Sequence, residues 1–412
     1  MQTPGASSET TPAVPGSRAA TLNLVLATTG FALSFWAWAL LGPLGPRLQD
    51  ELSLSAEQLA LVVAVPVIVG SLGRIPVGAM TDRYGARIMM PAITLVTVPP
   101  VLYLGFLADS FVKYIVGGFF LGIAGTSFAV GVPHVNGWYP PARRGLAVGV
   151  FGAGMGGTAI AAFTTVGLVD AVGPSFPFVL VSLLLVVYSL VAMALIRPAP
   201  GRPAPATGSV LARFWTTLTM PVTIKASLMY ALGFGGFVAF SVYLPTYLKT
   251  AYDLSQEGAA LRTAGFVVLA VVMRPAGGWL SDRLGPLPVL ATCFGVAAVA
   301  AGAAALHPPL EVLAGTTFLV LAGALGAAAG AVFAYVARFA DPGKVGGVTG
   351  VVGAAGGMGG FVPPLVMGAV YSTTGGYAAG LWALAAVAAT AAVWVLGMNR
   401  SARTAQGPVP AH

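Results

Sequence analysis

Apolar stretches of membrane-spanning length run at roughly 20–40, 57–80, 88–108, 111–136, 145–170 and 174–196, and again near 217–247, 258–281, 287–306, 309–337, 345–371 and 376–398. A helix crosses the hydrocarbon core of a bilayer with about 20 such residues, so each stretch is long enough. Between the two sets, residues 197–215 (RPAPGRPAPATGSVLARFW) are rich in Pro, Ala and Arg and read as a linker. The first 18 residues are polar, with no apolar core, and read as a disordered tail rather than a cleavable signal peptide. The pattern predicts an all-α polytopic membrane protein with twelve transmembrane helices. It comprises a tail over 1–19, a six-helix bundle over 20–196, a linker over 197–216, a second six-helix bundle over 217–398, and a tail over 399–412.

Composition agrees. Of 412 residues 57% are hydrophobic, about 235, and twelve spans of about 20 residues need roughly 240. Only 8% are charged, against about 25% in a soluble domain, and mean hydropathy is +0.88. A soluble enzyme, a disordered chain, a coiled coil and a secreted disulfide scaffold are thereby excluded. The one cysteine, Cys293, gives neither an intrachain disulfide nor a cysteine metal cluster. Glycine (55) and proline (31), without collagen's three-residue period, imply close helix packing and broken helices. The net charge of +8 sorts by topology: with both termini inside, 14 cationic residues fall on the cytoplasmic side and four (Arg47, Lys113, Lys249, Arg262) opposite. That bias places the chain in the cytoplasmic membrane with both termini cytoplasmic, and it removes nucleic acid as a partner.

The chain repeats itself. Gly73 to Gly85 and Met273 to Gly285 align at an offset of 200, sharing Arg74/Arg274, Gly78/Gly278, Asp82-Arg83/Asp282-Arg283 and Gly85/Gly285. A second echo joins Pro141–Gly149 to Pro342–Gly350 at an offset of 201. Helices two and eight therefore correspond, as do five and eleven, as in parallel halves related by an axis along the membrane normal. The doubled loop, Gly78, Asp82, Arg83, Gly85 and Arg87 with Gly278, Asp282, Arg283 and Gly285, resembles the signature loop of the major facilitator superfamily. The resemblance covers about 380 residues of the chain and implies two pseudo-symmetric six-helix bundles around a cavity that opens alternately to each side. Because that loop occurs with unrelated substrates, Asp82, Arg83, Arg87, Asp282 and Arg283 are assigned to gating and stability.

Two cations lie inside spans. Arg74 and Arg274 precede the loop aspartates by eight residues, about 12 Å of helix, which puts them near the bilayer midplane. A buried cation there costs several kcal/mol unless paired or hydrated, yet all twelve acids sit near span ends or in loops. Structural pairing with backbone carbonyls is the plain alternative; symmetric duplication without acids favours an anion held between the two. A guanidinium fork suits a small planar oxyanion. The glycine runs 145–157 (six glycines) and 343–360 (nine) allow backbones and a polar substrate to approach closely.

Taken with Arg74 and Arg274, these runs resemble the nitrate/nitrite porter family, which carries glycine-rich signatures in helices five and eleven and one arginine in each of helices two and eight. The resemblance implies a substrate site of Arg74, Arg274, Gly154, Met155, Gly157, Gly356 and Gly357. Tyr230 and Phe234, four residues apart on helix seven, and Phe128 after the glycine motif of helix four join it by the same likeness. In one departure, Met155 or a neighbouring glycine stands where the family commonly carries asparagine, which removes an amide donor. His134 and Asn136, near the inner end of helix four, are read as packing or as partners of a gate residue.

The expected function is secondary transport of nitrate and/or nitrite, serving nitrate assimilation, by a monomer with no cofactor and no metal. Without a Walker motif ATP does not drive it, and without a midplane carboxylate anion exchange fits best. Another small anion, such as formate or oxalate, is the alternative substrate. An intramembrane enzyme would need a nucleophile–base set or metal ligands at depth, and one cysteine, three histidines and no buried acids do not supply them.

Overall fold

The computed structural model describes residues 18–200, 215–310, 314–360, 367, 370–371 and 373–405. The predicted N-terminal tail before residue 18, most of the linker (201–214) and the chain from 406 lie outside the described residues. Among the described residues there are helices and turns and no strand. Among the described residues, eleven helices are long and apolar enough to cross a membrane.

The first crossing is α1 (Arg18–Trp38) with a break and then α2 (Leu41–Glu51). The second and third are α3 (Ala56–Tyr84) and α4 (Ala86–Phe106). The fourth joins α5 (Phe111–Leu121) to α6 (Ser127–Trp138) through a tighter 3₁₀ turn, Gly122–Thr126. The fifth joins α7 (Arg144–Gly152) to α8 (Gly157–Val172) through another, Ala153–Gly156, and α9 (Phe176–Leu195) is the sixth. In the second half come α10 (Pro221–Tyr252), α11 (Gln256–Leu284), α12 (Pro286–Ala305), α13 (Gly315–Phe339), α14 (Val345–Gly359) and α15 (Ala378–Ala405). Thus α14 holds the eleventh predicted place, and residues 361–366 of that range are outside the described ones.

The 200-residue repeat reaches into the helix caps. Ser55 opens α3 with a capping box: its Oγ accepts from Gln58 N–H at 3.2 Å, and Gln58 Oε1 accepts from Ser55 N–H at 3.0 Å. Ser255 opens α11 with the first of these two bonds, its Oγ accepting from Gly258 N–H at 3.1 Å, and Gly258 has no side chain to return the second. These bonds satisfy N–H groups that a helix start leaves unpaired. At the other ends Gly85 and Gly285 take φ of 80° and 87°, a region that favours glycine, and turn the chain sharply into α4 and α12.

Between the halves the packing is glycine against glycine. Gly78 of α3 lies on Gly346 and Gly350 of α14, and Gly278 of α11 lies on Gly145 of α7. The main apolar core runs without interruption through this boundary, from Phe31 and Phe151 to Tyr230, Phe234 and Phe333. Outward faces carry the opposite signal: Phe106, Leu183, Val299 and Val393 are each more than half exposed, a surface suited to lipid rather than water.

A Cβ at Gly278 would meet the backbone carbonyl of Gly145, which cannot swing aside as a side chain can. We expect Gly278→Ala to destabilise the protein by about 1–3 kcal/mol, as overpacking does. Gly167→Ala, where nothing lies within 4 Å, is expected to be neutral or stabilising. Thermal unfolding midpoints of the detergent-purified variants check both.

Candidate functional site

Arg74 on α3 and Arg274 on α11 are 1% and 3% exposed, and both reach the boundary between the halves. Arg74 donates from Nε to the Gly125 carbonyl at 2.9 Å and from Nη1 to the Gly353 carbonyl at 2.8 Å. Gly125 belongs to the 3₁₀ turn of the fourth crossing and Gly353 to α14, so one side chain ties the two halves together. Arg274 is held differently, by side chains. Its Nη2 donates to Tyr230 Oη at 3.0 Å, its Nη1 contacts the Met155 thioether sulfur, and its Nε is buried with no hydrogen-bond partner among the described residues. A guanidinium carries five N–H donors, so each arginine keeps donors that no described residue accepts. Among the described residues no carboxylate pairs with either one.

Aromatic rings wall this centre. Phe128 of α6 stands between the arginines, its centroid 5.7 Å from Arg74 Cζ and 5.9 Å from Arg274 Cζ, and Phe234 lies 5.4 Å from Arg274 Cζ. Ring faces attract these cations. Tyr230 and Phe234, one helical turn apart on α10, stack at 4.9 Å with planes 3° apart. Phe333 of α13 meets Phe128 and Tyr230 edge-on, at 4.8 Å each. Sequence reasoning missed Phe333, because an isolated aromatic in a long apolar helix carries no distinguishing spacing.

Of the sequence-predicted residues, Arg74, Arg274, Phe128, Met155, Tyr230 and Phe234 come together. Gly356 packs behind the rings of Tyr230 and Phe234. Three others point elsewhere: Gly154 and Gly157 face α1, against Phe31 and the Ala32 carbonyl, and Gly357 faces Ser71. The glycines beside the arginines are Gly125, Gly152 and Gly353; a Cβ on Gly353 would stand 2.9 Å from Arg74 Cδ, and one on Gly152 would stand 3.1 Å from Arg274 Nε.

The loop aspartates act eight residues beyond the arginines, each on the opposite half. Asp82 accepts from the N–H groups of Gly346 and Gly347 at 2.8 and 2.9 Å, capping α14. Asp282 accepts from those of Gly145 and Leu146, both at 2.8 Å, at the start of α7. A carboxylate on the unpaired amides of a helix start gains both charge-assisted hydrogen bonds and the helix dipole. Together these two latches hold one end of the boundary shut. Arg83 lies over the Tyr84 ring at 5.4 Å, Arg283 over Trp279 at 4.0 Å, and Arg87 lines a cavity beside Asp82. His134 Nε2 meets Asn23 Oδ1 at 3.2 Å, tying α6 to α1.

Two buried cations with spare donors thus sit between two halves that are hydrogen-bonded together at one end. The family model described as the Major Facilitator Superfamily matches residues 27–310 and 226–411. The chain belongs to the major facilitator superfamily. It is 48% identical to the "Probable nitrate/nitrite transporter NarK2" of Mycobacterium tuberculosis, over 90% of this chain and 95% of that one. With the "Nitrite extrusion protein" of Bacillus subtilis it shares 35% identity, over 92% and 94% of the two chains. Its fold is that of the human organic anion transporter MFSD10, with a TM-score of 0.76 at 16% identity, covering 91% of this chain and 99% of that one. Family and relatives are transporters, not enzymes.

Each latch rests on a charge-assisted pair of hydrogen bonds. We expect Asp82→Asn to speed amide exchange at Gly346 and Gly347 at least about tenfold while leaving Gly145 and Leu146 protected, and Asp282→Asn to do the reverse. Hydrogen-exchange mass spectrometry reads both segments in one experiment.

Proposed function

We propose that this chain carries nitrate and nitrite across the cytoplasmic membrane by alternating access, holding the anion between Arg74 and Arg274. The reading is carried by two buried guanidinium groups that keep unused N–H donors and have no carboxylate partner among the described residues. The names of the two relatives agree with it.

In the empty site the like charges repel, and the Gly125 and Gly353 carbonyls, Tyr230 and Met155 hold the side chains in place. An arriving planar oxyanion accepts hydrogen bonds from both forks and cancels the repulsion, which draws the bundles together around it. Phe128, Tyr230 and Phe234 fill the surrounding space and limit the size of what fits. For the anion to leave at the latched end, Asp82 and Asp282 must release their amides. That end is cytoplasmic by the charge bias, with both termini on the same side. The moving bodies are the bundles over 20–196 and 217–398, and a monomer suffices. With no carboxylate beside the arginines among the described residues to carry a proton, exchange of one anion for another is the cycle that fits.

Counterflow in proteoliposomes loaded with nitrite and challenged with nitrate is the test. A lysine offers a point charge in place of a fork, so Arg74→Lys and Arg274→Lys are each expected to reduce exchange about 100-fold or more. Undiminished exchange by the double Arg→Gln variant would overturn the arginine site. Formate or oxalate exchanging as fast as nitrate would transfer the assignment to small organic anions.

A further inference from the structure

Three buried hydroxyls lie between the level of the arginines and the level of the latches. Thr223 and Ser227 stand seven and three residues before Tyr230 on α10, so they share its face of the helix. Thr349 on α14 stands four residues before Gly353, whose carbonyl holds Arg74, and just after Gly346 and Gly347, whose amides hold Asp82. α10 and α14 pack side by side in the same direction, Gly356 against the Tyr230 ring and Gly359 against Gly235. From the Tyr230–Gly356 contact, Thr223 and Thr349 each lie seven residues, about 10 Å of helix, toward the latched end. All three hydroxyl oxygens are buried with no hydrogen-bond partner among the described residues. Other hydroxyls inside helices of this chain turn back onto the carbonyl four residues earlier, as Thr81, Thr97, Thr263 and Ser281 do. Ser34, Thr165 and Ser182 are also unpaired, but they stand one to a helix on α1, α8 and α9 of the first half.

The buried residues interleaved with these three in sequence, Ala226, Met229, Val348 and Val352, are apolar and offer an anion nothing. We infer, on the anion reading given above, that Thr223, Ser227 and Thr349 form a hydroxyl track along which the anion passes between the arginine pair and the latched end once the latches part. Each hydroxyl donates one hydrogen bond to an oxygen of the passing ion, in place of the water it has lost. A hydroxyl is suited to that task because it carries no charge. It eases passage without holding the ion as a further guanidinium does. With the latches engaged the three are sealed in and unpaired, which is unfavourable for that arrangement alone. The same groups therefore favour opening before any ion reaches them.

The test is thiol labelling of the detergent-purified full chain. In a Cys293→Ala background, Thr223→Cys, Ser227→Cys and Thr349→Cys are introduced singly and exposed to a charged, water-soluble methanethiosulfonate reagent. Each is expected to react at least about tenfold faster when Asp82→Asn and Asp282→Asn loosen the latches. Leu228→Cys, on the exposed lipid side of the same helix, is expected to keep its rate. Either aspartate change alone serves if the double variant does not fold. Rates at the three positions that do not rise with the latch variants would overturn the track. A second arm removes the hydroxyls at nearly constant shape, in Thr223→Val/Ser227→Ala/Thr349→Val. Exchange of nitrite for nitrate is expected to fall at least about tenfold while the thermal unfolding midpoint stays or rises, since no hydrogen bond is lost. A lowered midpoint makes the hydroxyls structural and overturns the track, as does undiminished exchange. A parent chain that exchanges no nitrate fails the nitrate reading instead, and the labelling rates then decide the track alone.

Discussion

Two guanidinium groups enclosed in an apolar interior, with no carboxylate beside them among the described residues, set the terms for everything around them. Each costs several kcal/mol at that depth unless acceptors are brought to it. For Arg74 the acceptors are backbone carbonyls, and reaching them requires backbones that come very close. Hence the glycines at 125 and 353, and hence the 3₁₀ turn at Gly122–Thr126, which takes Gly125 out of the regular α-helical hydrogen-bond pattern. The same need for close approach recurs down the boundary as Gly78 on Gly350 and Gly278 on Gly145. What reads in the sequence as an excess of glycine is thus one requirement met repeatedly.

The centre and the latches lie on the same helices. α3 carries both Arg74 and Asp82; α14 carries both Gly353 and the amides of Gly346 and Gly347. About two helical turns separate the two levels, short enough for each helix to act as a rigid lever. α11 and α7 repeat the arrangement, with Arg274 and Asp282 facing Gly152, Gly145 and Leu146. A change of spacing at the arginines is therefore also a change of spacing at the carboxylates, through one packed boundary rather than through a chain of intermediaries.

Much of this is legible in the sequence alone. The spans follow from hydropathy, and Arg74 and Arg274 stand out because charge is so scarce around them. Tyr230 and Phe234 share a face, as a spacing of four requires. The glycines were less legible. Runs with a glycine at every second to fourth residue do not say which face meets the site, and the 3₁₀ turn at Ala153–Gly156 then advances each residue by about 120° instead of about 100°. Even in a regular helix Gly154, two residues on, turns about 200° away from Gly152, and Gly154 and Gly157 face α1 while Gly152 faces Arg274. The repeat was legible through identical residues such as Gly85 and Gly285. It was not through Ser53 and Asp253, which share a left-handed φ of 51° and 53° but not a residue type.

Despite the duplication, the two arginines are anchored by different kinds of matter. Arg74 leans on carbonyls of the main chain, and Arg274 on the side chains of Tyr230 and Met155. A main-chain carbonyl is present whatever residue is encoded, whereas a phenol or a thioether is removed by a single codon. A change at Tyr230 or Met155 therefore deprives Arg274 of a partner, whereas a change at Gly353 acts on Arg74 by crowding, its Cβ standing 2.9 Å from Arg74 Cδ. The two halves of one duplicated design thus fail in different ways, one by loss of a contact and the other by loss of room.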